Sequence, residues 1–138
     1  MNISENYKAF IVNEINFVIN KMDGSKTAED KIYYFSAINA VFQRIFNIEY
    51  DPTLVFAFII LRDTHTHFLQ RLQSRKQGET SVLLTEEHLS RLSDLTRELL
   101  SKIERNENID DTLKKYVILY YSTTGNGYYL FQKGLIQI

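Results

Sequence analysis

The residues of this chain that could do chemistry fall in two short stretches. The first is Arg62-Asp63-Thr64-His65-Thr66-His67, which holds two of the three histidines. On a helix, Asp63 and His67 lie one turn apart on one face. At that spacing a carboxylate and an imidazole can share a divalent metal ion. His65 points nearly the other way, so further ligands would have to come from a neighbouring element, and His88 is the remaining histidine. The simpler reading is a polar helix half with exposed histidines. Arg62, Arg71, Arg75 and Lys76 add positive charge that could hold a phosphate or a nucleic-acid backbone. Cations at a helix C-terminus also complement its dipole, and no exposed aromatics are interleaved with these four. Helix-end capping is therefore the first expectation.

The second stretch reads YYSTTGNGYYLFQ, from Tyr120 to Gln132. As a hairpin, YVILYY and YYLF would pair across STTGNG, with Asn126-Gly127 as the turn. A lone ribbon with no sheet to join is marginal, though, and the chain offers no other strands. A phosphate loop needs Gly-x-x-x-x-Gly followed directly by Lys and Ser or Thr. Here two tyrosines follow Gly127, and Lys133 comes six positions on. Helical spacing runs straight through the segment: Leu113, Tyr116, Val117, Tyr120, Thr124, Gly127, Tyr128, Phe131 and Leu135 recur three or four apart. The pattern predicts a helix with a kink or break near Gly125 to Gly127. Thr123, Thr124, Asn126 and Gly127 then form a side-chain-poor patch, suited to close helix packing or to contact with a flat ligand.

The elements that must position these residues are helices. At 138 residues and 44 % hydrophobic content the chain has the size and composition of a single domain, residues 1–138. A net charge of −1 provides no overall field for nucleic acid or an anionic membrane, which argues against both as partners. The chain has no cysteine, which excludes disulfides and thiolate metal sites. The start resembles no secretory leader, and the longest apolar run, Leu54 to Leu61, is too short to span a bilayer. A cytoplasmic protein is expected, with no cofactor implied.

Breaks at Asp23 to Lys26, Asp51-Pro52, Arg75 to Leu84 and Asn106 to Asp111 separate segments of helical period. The first carries Ile3, Tyr7, Phe10, Ile11, Ile15, Val18 and Met22 on one stripe. The second carries Ile32, Phe35, Ile38, Phe42, Ile45 and Phe46. In the third, Asp51 caps and Pro52 takes the first helical position. Its run from Leu54 to Leu61 is apolar all round, so it reads as a helix buried at its N-terminal half, then continues on one side through Phe68, Leu69 and Leu72. In the fourth, Thr85 caps and Leu89, Leu92, Leu95, Leu99 and Ile103 form the stripe. The opposite face of that segment, Glu87, Arg91, Asp94, Glu98 and Lys102, has the i,i+4 order of a solvated surface.

Arg91-Leu92-Ser93-Asp94-Leu95 resembles a string in the late helix of the bundle-forming ATP:cobalamin adenosyltransferases. The helical layout is similar to that of small archaeal four-helix-bundle proteins sharing that fold. The resemblance implies a bundle and, as an alternative function, nucleotide binding or transfer near Thr123, Thr124 and Asn126. Thr124-Gly125-Asn126 is similar in wording to the family's Thr-Gly-Asp phosphate motif. It stands near the opposite end of the chain, with Asn in place of the acid, and the family's arginine-rich helix has no counterpart.

The expectation is an all-α, antiparallel up-and-down four-helix bundle with one or two additional shorter helices, the third segment being the short or irregular one. No catalytic residue stands out. Tyr33, Tyr34, Phe35, Tyr120, Tyr121, Tyr128 and Tyr129 exceed what one stripe can bury, so some must face outward, where tyrosine is enriched at interfaces. A non-enzymatic, self-associating interaction module is the leading function. A nucleotide-binding protein and a small subunit that binds a nucleic-acid backbone are the alternatives.

Overall fold

The computed structural model describes residues 4–46, 51–78 and 84–138. Ile3, the Phe46 side chain and residues 79–83 of the third break lie outside the described residues. The described chain forms α1 (Glu5–Asp23), α2 (Ala28–Phe46), α3 (Pro52–Lys76), α4 (Glu86–Glu104), α5 (Asp110–Tyr121) and α6 (Gly125–Gln132), and no strand occurs among the described residues.

Local chemistry sets the helix boundaries. Asp51 Oδ1 accepts the Thr53 N–H at 2.8 Å, and Pro52 follows at the first helical position. Thr85 opens α4 with a capping box in which a histidine fills the place usually held by Glu or Gln. The Thr85 hydroxyl accepts the His88 N–H, and His88 Nδ1 accepts the Thr85 N–H, each at 3.2 Å. Asn108 Oδ1 accepts the Asp110 N–H at 2.7 Å where α5 begins, after Asn106 has turned the chain with φ 56°.

The helices pack in a closed circuit: α1 against α2 and α4, α3 against α2 and α5, and α4 against α5. Inside it lie Ile11, Ile15 and Met22 of α1, Phe35 and Phe42 of α2, Leu61 and Phe68 of α3, Leu92 and Leu99 of α4, and Tyr116 of α5. The Phe35 and Tyr116 rings meet across the interior, centroids 6.2 Å apart. The stripes expected from spacing supply most of this core.

Three expectations change. The third segment is neither short nor irregular; α3 is a 25-residue helix, and the short elements come instead from the final segment, divided into α5 and α6. The Leu54 to Leu61 run is not buried all round, because among the described residues α3 packs mainly against α2 and α5; Phe56 is 56 % exposed and Ile59 also faces out. Phe10 lies outside the α1 stripe as well, its ring covered by the Arg44 guanidinium at 5.4 Å.

Candidate functional site

The stretch from Tyr120 to Gln132 contains a full break between two helices. α5 ends at Tyr121, the chain turns through Ser122 and Thr123, and Thr124 caps α6. The break falls just before the expected Gly125 to Gly127 position, for a reason spacing alone does not carry. Three consecutive hydroxyls turn back on the preceding turn: Ser122 donates to the Leu119 carbonyl at 2.6 Å, Thr123 to Tyr120 at 2.7 Å and Thr124 to Tyr121 at 2.7 Å. Such local bonds offer the backbone an alternative to helix continuation. The Thr124 hydroxyl also accepts the Gly127 N–H at 3.1 Å. The close packing expected at Gly127 is present, but its partner is the end of its own helix hairpin. A Cβ there would overlap the carbonyl oxygen of Tyr121. Thr123 and Gly127 are buried, while Gly125 and Asn126 are exposed.

Against this junction sits a group that the spacing did not reveal. His88, fully buried in the first turn of α4, places Nε2 2.9 Å from Ser122 Oγ, 34 positions along the chain. The Ser122 proton is committed to the Leu119 carbonyl, so Nε2 carries the hydrogen and donates to the serine oxygen. Nδ1 is then the acceptor, facing the Thr85 N–H and, at 2.7 Å, the Thr85 hydroxyl. The Phe131 ring of α6 packs over the imidazole at 5.6 Å. Burial holds the His88 imidazole down to about 4, so it is neutral near pH 7.

A serine beside a histidine invites comparison with a nucleophile and its base. That chemistry requires a bare ring nitrogen facing the hydroxyl and a hydroxyl open to substrate. Here the nitrogen is protonated and Ser122 is fully buried. The pair is a clip joining the start of α4 to the end of α5. The only sequence signal for it was a histidine at the third position of a capping box.

The histidine-bearing face of α3 is partly tied to α5. His67 Nδ1 donates to the Asp63 carbonyl at 2.8 Å, and its ring stacks on Tyr120 at 4.5 Å. Burial, with the Asp63 charge second, raises the Tyr120 hydroxyl above its ordinary value. Asp63 and His67 do share a face, as expected, but among the described residues no group of three His, Cys, Asp or Glu side chains comes together to hold a metal ion. His65 turns toward α2.

The four cations do not converge. Lys76 pairs with Glu29 at 2.8 Å, Arg75 approaches Glu86 at 3.9 Å, and Arg62 lies over the Phe58 ring at 5.6 Å. Arg71 Nε is buried without a hydrogen-bond partner. The outer face of α4 is only partly solvated, because α5 covers it at Glu98. Burial alone would raise the Glu98 carboxyl, but the Thr112 hydroxyl at 2.7 Å and the Lys115 ammonium at 2.9 Å hold it below the usual range. Among the described residues no helix is long and apolar enough to cross a membrane.

No protein-family model, curated protein or solved structure matches this chain.

Proposed function

We propose that the chain is a non-enzymatic interaction module that associates with copies of itself, built as an antiparallel bundle. Cross-helix contacts support the antiparallel reading. The end of α3 meets the start of α2 at Lys76–Glu29 and the start of α4 at Arg75–Glu86, and the start of α4 meets the end of α5 at His88–Ser122. A bundle of α1 to α4 with α5 completing the circuit and α6 appended is the arrangement in view.

One observation carries the functional reading. The run from Tyr116 to Gln132 contains no charged side chain, yet it ends in an element held mainly by α5, with Tyr129 58 % exposed and Leu135 beyond it 71 % exposed. An aromatic-rich surface of this kind, with the Lys133 ammonium 5.6 Å from the Tyr129 ring centre as its neighbouring cation, has the composition of an interface. Several polar groups with chemistry to offer are occupied internally: His88 by Thr85 and Ser122, Thr123 and Thr124 by backbone carbonyls, Glu98 by Thr112 and Lys115. A chain without cysteine suits a reducing cytoplasm.

Sedimentation velocity over a range of concentrations tests the reading, and association by the high micromolar range is expected. A monomer throughout would overturn it. Saturable ATP binding by calorimetry would instead favour the nucleotide-binding alternative near Thr123, Thr124 and Asn126.

A further inference from the structure

The sequence holds one Asn-Gly pair, Asn126-Gly127; every other asparagine precedes a residue that carries a Cβ. A backbone nitrogen can attack the side-chain carbonyl carbon of the asparagine before it and close a five-membered imide. A glycine on the attacking side offers the least steric hindrance and the freest backbone for that closure. The fold requires the glycine and leaves the asparagine open. Gly127 is buried, and a Cβ there would overlap the Tyr121 carbonyl oxygen. Asn126 is exposed, and no described residue holds its side-chain amide by a hydrogen bond.

The same junction holds the attacking nitrogen back. The Gly127 N–H donates to Thr124 Oγ1 at 3.1 Å, and that hydroxyl donates in turn to the Tyr121 carbonyl at 2.7 Å. Ring closure also needs Asn126 to leave the helical backbone it holds in α6. The first turn of α6 must therefore open before the imide can form. That opening is local. α6 has eight residues, too few to stand as an isolated helix, and it packs mainly on α5, so it belongs to the least stable part of the fold.

We propose that Asn126 deamidates spontaneously through a succinimide with Gly127, at a rate gated by the Thr124 cap. The Gly127 nitrogen, deprotonated by hydroxide, forms a bond to Asn126 Cγ; the Cγ–Nδ2 bond breaks and ammonia leaves with a proton from water. Water then opens either imide C–N bond. Cleavage at Cγ gives an ordinary aspartate, and cleavage at the backbone carbonyl carbon gives an isoaspartyl linkage. The aspartate suits the first turn of α6, where the dipole favours an anion. The isoaspartyl form lengthens the backbone beside the contact of Gly127 with the α5 terminus, and so loosens α6. The reaction needs one chain only and is independent of the self-association argued above.

The test holds the purified full chain at neutral pH and physiological temperature. Peptide mapping by mass spectrometry then follows the mass gain of amide-to-acid conversion and the separate elution of the isoaspartyl peptide. Product is expected at Asn126 ahead of every other asparagine, forming about tenfold to a hundredfold more slowly than in the same chain unfolded in urea. Thr124→Ala removes the cap and should speed the reaction about fivefold, whereas Thr124→Ser keeps the hydroxyl and the original rate. Earlier deamidation at another asparagine overturns the proposal, as does no product at Asn126 once the unfolded chain has converted completely. A native rate equal to the unfolded one, or an unchanged rate in Thr124→Ala, overturns the gate. Hydrogen exchange of the original chain decides the gate even if Thr124→Ala fails to fold. Protection of the Gly127 amide should match the slowing of the reaction, and protection as strong as that of the core helices overturns local opening.

Discussion

At the scale of single residues, His88 is the most consequential side chain the structure adds. Its imidazole is held at about 4 in the folded chain, against an ordinary 6.5, by burial. Between those values the unfolded chain binds more protons than the folded one. Stability therefore falls as pH drops from about 6.5 toward about 4, and the contribution of the neutral ring is complete only above that window. The full effect is about 3 kcal/mol. Urea midpoints between pH 7 and pH 4 should trace this loss. In His88→Gln the slope in that window should flatten, because a glutamine can keep the capping box but cannot titrate. Ser122→Ala tests the other end of the clip. It leaves the buried Nε2–H without an acceptor and should lower stability by about 1–3 kcal/mol at neutral pH, read from the same midpoints. Neither partner could be assigned from the sequence. A histidine and a serine 34 positions apart carry no period that joins them.

At the scale of elements, the sequence is most legible where one side-chain rule acts alone. Pro52 behind Asp51, and Thr85 ahead of Glu86 and Glu87, place helix starts because a cap satisfies the free N–H groups whatever lies around it. The end of α5 is different. Apolar spacing continues through it, so periodicity predicts one kinked helix, whereas three serine and threonine hydroxyls bonded to their own turn stop it early. The glycines that follow then play opposite parts. At Gly127 an added methyl group would meet the Tyr121 carbonyl, while at Gly125 it would meet nothing within 4 Å. Gly127→Ala should therefore destabilise the chain despite the better helix propensity of alanine. Gly125→Ala should be neutral or stabilising by up to about 1 kcal/mol. Thermal melts of the two variants side by side will show whether the signs differ. A stabilised Gly127→Ala would mean that α6 does not pack on the α5 terminus as described.

At the scale of the whole molecule, five helices share one interior and a sixth is appended to the circuit among the described residues. The ion pairs that join helices, such as Arg44–Glu14 and Arg97–Asp23, lie at the surface with partners roughly half exposed, so each contributes at most about 1 kcal/mol. The interior is held instead by side chains such as Phe35, Phe42, Phe68 and Tyr116, all fully buried. The burial the fold leaves undone, at Tyr129 and Leu135, is what an assembly would complete. Tyr129→Lys combined with Leu135→Lys should shift the sedimentation profile toward monomer while leaving the melting temperature nearly unchanged, since both side chains are exposed in the single chain. Association unaffected by the pair would place the contact elsewhere, with Tyr33, Phe17 and Phe56 the next exposed rings to replace.

By itself the sequence determined the all-helical class, the starts of α3 and α4 and the inward stripes such as Ile11, Ile15, Val18 and Met22. Capping and hydrophobic periodicity act within a few residues of chain, and no tertiary neighbour is needed to read them. The tertiary structure decided which apolar faces stayed uncovered, that Phe56 and Ile59 face out of a run that reads as buried, and that His88 closes on Ser122. Those outcomes depend on which helices become neighbours. That is fixed by the summed packing of the whole interior, and no local pattern encodes it.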